Sequence, residues 1–242
     1  MGVAILMRIG IDARFLTHPQ RGGFKTYTEN LLTALALVDV RHSYCLYTER
    51  SDKRAVALWE SESTRLMPVE NDVPVLRAIL REQLQLPRQL RIDGCDVAHF
   101  LCNTGPLQFS GKQIVTIHDV IALTAPQLFE AKSPASLWQW AIWRYSSVVI
   151  PRLARRVDAV ITVSHYEKAQ IAQHLRIGPE KIHVTHLAAG RSFRILQPSE
   201  RTDTWHRLLP EHGITRPFVL AVGFEPRKNI DGVIRAYQLL AK

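Results

Sequence analysis

The sequence predicts an α/β protein: a mostly parallel sheet with helices on both faces. Short β-branched or apolar runs recur along the whole chain, stretches of helical spacing lie between most of them, and several helix starts carry their own caps. The runs are Arg8–Ile11, Tyr44–Tyr47, Thr64–Val69, Val97–Leu101, Ile114–Ile117, Ala159–Val163 and Ile182–Leu187. Such alternation of strand and helix favours parallel pairing, because a parallel strand needs a long crossover to return.

The first strand is complete within Met7-Arg8-Ile9-Gly10-Ile11-Asp12, which leaves Met1 and Met7 as alternative natural starts. The segment before it has neither a basic leader nor a cleavage site and does not read as a signal peptide. Thr26 with Glu29 fits a capping box and predicts a helix opening there; Ser164 with Glu167 does the same. Ser133 precedes Pro134 at a first-turn position, which opens a third helix, and Pro151 is expected to kink or restart it. The helix begun at Ser164 closes before Gly178-Pro179. A polar stretch from Gln197 to Arg216 then reads as a domain connection, dividing residues 1–215 from 216–242. Beyond it Pro217–Val222 reads as a strand, Gly223–Asn229 as a loop, and Ile230 onward as an amphipathic helix. One strand and one helix cannot bury their apolar faces alone, so this unit is expected to begin a second, incomplete domain.

Composition narrows the partners. Of the 242 residues 46% are hydrophobic and 22% charged, as in ordinary globular proteins. Lys plus Arg number 31 against 22 for Asp plus Glu, and the excess of +9 favours phosphate-bearing partners or an anionic membrane surface. No nucleic-acid-binding motif accompanies that charge, so a nucleic-acid partner is not expected. Cys45, Cys95 and Cys102 are odd in number and lack CxxC spacing, which suggests neither a disulfide framework nor a zinc site and favours a reducing cytoplasm. No apolar run approaches the roughly 20 residues that span a bilayer, so membrane contact is expected to be peripheral.

Ligands of open parallel sheets bind outside the carboxyl ends of the strands, so polar residues just after strands are the site candidates. Asp12, Tyr27 and Ser164 are candidates for lining that cleft. Gly22-Gly23 stands before a capped helix, where free N–H groups and the helix dipole favour an anion; a plain turn is the alternative. The pair is neither GxGxxG nor a Walker loop. His118-Asp119 ends a strand, placing an imidazole and a carboxylate at the rim, where they can bind hydroxyls or orient a reacting group; Asp119 can equally cap a turn. Arg227-Lys228, between a strand and a helix, has the geometry for a diphosphate, against the alternative of a solvated turn. His183 and His186 point to opposite faces of a strand and make a poor metal pair.

From Ala131 to Val157 no residue is acidic, while Lys132, Arg144, Arg152, Arg155 and Arg156 are positive. Leu137, Trp138, Ala141, Ile142, Tyr145, Val148 and Val149 form one helical stripe, expected in the core. Trp140 and Trp143 fall outside it, and with Arg144 they suit a lipid headgroup region, the acceptor cleft or simple packing.

Taken in order, Gly22-Gly23, Ile117-His118-Asp119, Val163-Ser164, His186-Leu187-Ala188-Ala189-Gly190 and Val222-Gly223-Phe224-Glu225-Pro226-Arg227-Lys228-Asn229 resemble family 4 retaining glycosyltransferases over nearly the whole chain. The resemblance implies a GT-B fold, with a Rossmann-like acceptor-side domain followed by the start of a nucleotide-sugar-binding domain. It implies transfer of a hexose, with a GDP-mannose-like donor, to a saccharide or lipid-linked acceptor in bacterial surface-polysaccharide synthesis, at the inner face of the membrane, without metal or cofactor. By analogy Gly22 and Gly23 approach the donor diphosphate, His118 contacts the transferred sugar, and Arg227 with Lys228 neutralise the leaving phosphate. Many relatives carry Arg directly after the glycine of the last motif, where Phe224 stands here. The family's two-glutamate donor motif is expected beyond Lys242. The alternative function is a non-catalytic acceptor-binding remnant of such an enzyme.

Overall fold

The computed structural model describes residues 7–18, 22–39, 41–49, 64–68, 77–129, 134–190, 193–214, 218–223 and 228–240. By its internal contacts the chain divides into two units, Met1–Ala188 and Ala189–Lys242.

All seven runs of the first unit become strands: β1 (Arg8–Asp12), β2 (Ser43–Thr48), β3 (Thr64–Pro68), β4 (Val97–Phe100), β5 (Lys112–Thr116), β6 (Ala159–Thr162) and β7 (Ile182–Val184). They form one sheet of order β3-β2-β1-β4-β5-β6-β7, parallel throughout. Both faces are covered, which is why these strands read as apolar runs rather than as alternation. On one face Ile11, Tyr44, Leu46, Leu101 and Leu32 of the Gly23–Val38 helix pack together. On the other, Tyr47, Phe100 and Val115 meet Leu86 and Leu90, Ile150 and Leu153 of the Pro134–Arg156 helix, and Ile171 and Leu175 of the His165–Leu175 helix. Leu90 packs so closely on β1 that a Cβ at Gly10 would lie 2.3 Å from its Cδ2, so any larger residue there must displace that core side chain.

Five sequence expectations are corrected. The first helix opens at Gly23, not Thr26: Gly22 is its N-cap, and the Thr26 hydroxyl bonds back to the Gly22 carbonyl from inside the helix. Glycines thus start a helix at which Ser/Thr capping rules point one turn too late. The Pro134–Arg156 helix runs on through Pro151. Among its described side chains Val149, Ile150, Leu153 and Ala154 are buried, whereas Leu137, Ile142 and Val148 of the expected core stripe are exposed; the Trp138 side chain lies outside the described residues. In the second unit the stretch read as a connection contains a helix, Pro198–Glu211, closed at its start by a reciprocal Gln197–Glu200 capping box. Phe218–Val222 forms no strand, since strand structure requires a paired neighbour, and its apolar side chains are exposed. The Ile230–Leu240 helix forms as expected, with Val233, Ile234 and Tyr237 exposed.

Candidate active site at the switch point of the sheet

From β1 the chain winds outward to β2 and β3, then returns to place β4 on the other side of β1. The strand order therefore reverses between β1 and β4, and the crevice outside their carboxyl ends is where such sheets bind ligands. Arg14 follows β1, Leu101 to Gly105 follow β4, and His118-Asp119 follow β5 at this edge.

His118 is fixed at three places. Its backbone N–H donates to Asn103 Oδ1 at 2.7 Å, and its ring Nε2 lies 2.9 Å from the Leu101 carbonyl. A carbonyl only accepts, so Nε2 carries the hydrogen and Nδ1 of the neutral ring keeps a lone pair. The ring meets the edge of Tyr27 at 4.6 Å and tilts against Phe24 at 5.2 Å. Burial pushes the His118 imidazole below its ordinary pKa, against the opposing pull of the Leu101 carbonyl and Asp119, so the ring is neutral at pH 7. Behind it the Tyr27 hydroxyl lies 3.4 Å from Thr116 Oγ1, which in turn is 2.9 Å from His99 Nε2. Burial lowers the His99 imidazole to about 4.

Phe24 and Tyr27 belong to the first two turns of the Gly23–Val38 helix, so their contacts with His118 bring that helix's N-terminus to the same crevice. Among the described residues no side chain caps it, and its first N–H groups have no acceptor within the helix. Among the described residues a Cβ built at Gly22 or Gly23 would meet nothing within 4 Å, so none of them demands glycine there by packing.

Below the crevice lies a buried ion-pair network that takes Asp12 out of the cleft. Asp12 is only 2% exposed and contacts Arg81 at 2.9 Å and Arg14 at 3.0 Å. Arg81 also donates to the Tyr47 carbonyl, and Arg14 pairs with Glu82. Tyr145 donates to Glu82, and Thr104 donates to the other Glu82 oxygen at 2.7 Å. Arg81 and Glu82 reach inward from a π-turn, Arg81–Gln85, set between the helical segments Arg77–Leu80 and Leu86–Ile92; such turns often mark functional sites. Burial alone would raise the Asp12 carboxyl, but the two guanidiniums hold it below the ordinary value. Two cations face two anions, so the network is balanced internally.

The other sequence candidates have the following surroundings. Asp119 is partly buried, and its Oδ1 accepts the Ile121 N–H, so one oxygen caps the turn after His118. Ser164 is the N-cap of the His165–Leu175 helix, its Oγ accepting the Glu167 N–H at 3.1 Å. Glu167 Oε2 is buried without a hydrogen-bond partner; burial, with the Asp119 charge second, raises its pKa. Trp140 is exposed as expected, but Trp143 is half-buried and its indole N–H donates to the Ala122 carbonyl at 2.6 Å, with the Arg144 guanidinium 5.7 Å from its ring. His186 packs its ring on His165 at 5.5 Å. Lys228 is exposed, and Arg227 lies outside the described residues. Sequence reasoning missed Asn103, Glu82 and the Phe24 wall; the Asn103-Thr104-Gly105-Pro106 run after a strand is the turn signal that marks the first.

Residues 21–188 match the family model described as Glycosyltransferase Family 4, which spans well over half of the chain. A crevice at the switch point of a doubly covered parallel sheet defines the class of protein, and the family match places it further: the chain belongs to Glycosyltransferase Family 4. No curated protein matches it. Among solved structures it is similar to a glycosyltransferase from Rickettsia africae ESF-5, with 11% identity and a TM-score of 0.48 over 88% of this chain and 51% of that one. It is also similar to a UGT transferase from Siraitia grosvenorii, solved in complex with UDP, with 9% identity and a TM-score of 0.46 over 87% of this chain and 56% of that one. The chain thus spans about half the length of the solved structures it matches.

Proposed function

We propose that the chain transfers a sugar from a nucleotide-activated donor to a saccharide or lipid-linked acceptor, with the crevice around His118 as the place of transfer. The observation that carries this reading is the position of His118 after β5, its ring Nε2 held on the Leu101 carbonyl so that Nδ1 keeps the lone pair that can accept a sugar hydroxyl, beside the helix start at Gly23. Backbone N–H groups and the helix dipole there suit a donor diphosphate. In transfer, negative charge grows on the departing phosphate, so donors aimed at it lower the barrier and a neutral His118 orients the sugar. The part expected of Arg227 and Lys228 at the leaving phosphate rests on the family resemblance alone. Its finer terms rest on the family resemblance: retention of anomeric configuration, a hexose donor of the GDP-mannose kind, no metal or cofactor, and surface-polysaccharide synthesis on the cytoplasmic side of a bacterial membrane.

Peripheral membrane docking belongs to the same proposal. Leu137, Trp140, Arg144, Val148 and Arg155 follow one another at spacings of three, four, four and seven, all on the exposed side of the Pro134–Arg156 helix. Apolar and cationic side chains together with no acidic one suit an anionic bilayer.

Acceptor binding without transfer is the second reading, since a neutral His118 held on the Leu101 carbonyl can bind a sugar hydroxyl whether or not transfer follows. Hydrolysis and transfer assays across a panel of nucleotide sugars separate the two. Turnover of any donor supports transfer. Saccharide binding with no turnover of any donor selects the second reading.

A further inference from the structure

The residue that ties the crevice together is one to which neither the family match nor the sequence motifs assign a role. Asn103 has φ 63°, the left-handed region that side chains other than those of Gly, Asn and Asp rarely adopt. It is the middle of a three-residue turn closed by the Thr104 N–H donating to the Cys102 carbonyl at 2.7 Å, and such turns with positive φ are rare and strained. Strain of this kind persists only where surrounding bonds over-determine it, and it concentrates at functional sites.

The surroundings here supply those bonds from two directions. Toward the site, the Asn103 N–H donates to the Thr116 carbonyl at 2.9 Å, its side-chain oxygen accepts the His118 N–H, and the Leu101 carbonyl accepts from the His118 ring. Three bonds therefore lock residues 101–103 to residues 116–118. Away from the site, the next residue, Thr104, donates to Glu82 at 2.7 Å, and Arg14 Nη2 lies 3.3 Å from the Thr104 hydroxyl. The balanced ion-pair network thus anchors one end of the turn, and His118 rests on the other.

We infer that Asn103 is a positioning residue for the transfer reaction: its side-chain oxygen fixes the His118 backbone so that the ring Nε2–H engages Leu101 and Nδ1 alone is presented to the sugar. The inference rests on the role given to His118 above, and the experiment separates the two. Asn103→Gly keeps the left-handed turn and removes the acceptor, whereas Asn103→Asp keeps both the acceptor and tolerance for that backbone. The 242-residue chain labelled with 15N-histidine reports the His118 tautomer at pH 8, where the ring is neutral in every variant.

The wild type and Asn103→Asp should show His118 almost wholly as the Nε2–H form, and Asn103→Gly should show a mixture. In turnover, Asn103→Gly should lose about 100-fold in kcat with little change in KM, as a misplaced group does, and Asn103→Asp should stay within about threefold of wild type. An unchanged tautomer in Asn103→Gly overturns the inference, as does an Asn103→Asp variant that behaves like Asn103→Gly. A shifted tautomer with undiminished turnover supports the positioning and sinks the part given to His118 in transfer.

Discussion

Replacing Asp12 by Asn removes one charge from the network while keeping the shape of the side chain. Asp12 is 2% exposed and Arg81 3%, and the two guanidiniums that face the carboxylate at 2.9 and 3.0 Å would be left with Glu82 alone. Breaking a buried pair by removing one partner costs about 3–5 kcal/mol, and the retained amide oxygen places Asp12→Asn near the lower end, at about 3 kcal/mol. With a urea slope of about 2 kcal/mol/M for a domain of this size, the unfolding midpoint should fall by roughly 1.5 M with the slope unchanged. Because the folded Asp12 pKa is depressed, this contribution is present above the ordinary carboxylate value and is lost as pH falls through the folded one. The gap between wild type and variant should therefore close in strong acid. Adding Arg81→Met, which restores equal charges, should cost less in the Asp12→Asn background than in the wild type. A midpoint that moves by less than about 0.5 M, accompanied by a weakened affinity for substrate, would refute this and return Asp12 to the cleft wall.

Gly23→Ala should leave stability unchanged or raise it by about 0.4–1 kcal/mol, since its Cβ meets no atom of the described residues, while weakening donor binding; calorimetry with a nucleotide sugar, paired with thermal melting, reads both effects. His99 has its folded pKa lowered to about 4 from 6.5, so the stability it contributes above pH 6.5 is lost as pH falls toward 4. Denaturation at pH 7.5 and 4.5 should show wild type losing about 2 kcal/mol more than His99→Gln over that interval. Leu137→Ser with Trp140→Ser should reduce co-sedimentation with anionic vesicles at least tenfold and leave neutral vesicles unaffected, whereas equal binding by wild type and variant removes the membrane from the account.

The strands were legible because each is a short apolar run buried on both faces, and the edge of the sheet at which a ligand belongs followed from their parallel order. His118 was legible for the same reason, being polar at the end of such a run. Asp12 looked identical by that rule, but its partner Arg81 lies 69 residues away on a π-turn, and no local pattern announces such a pairing. The Pro134–Arg156 helix shows the opposite problem. Its periodicity does not say which part of the stripe the sheet covers, so Leu137 and Val148 were placed inside, whereas among the described side chains the buried ones begin at Val149. For Trp143 the sequence left headgroup, cleft and packing open, because its acceptor, the Ala122 carbonyl, comes from a different element. Asn103 carried its signal openly in a run of turn formers, but what the turn holds depends on Thr116 and His118 of the neighbouring strand.

The central claim is that sugar transfer takes place at His118. Steady-state transfer from the best donor found in a nucleotide-sugar panel, comparing wild type with His118→Ala at pH 7.5, tests it most directly. The account predicts a fall in kcat of at least about 100-fold for the variant, with an unchanged melting temperature. Transfer by His118→Ala within threefold of wild type would contradict it.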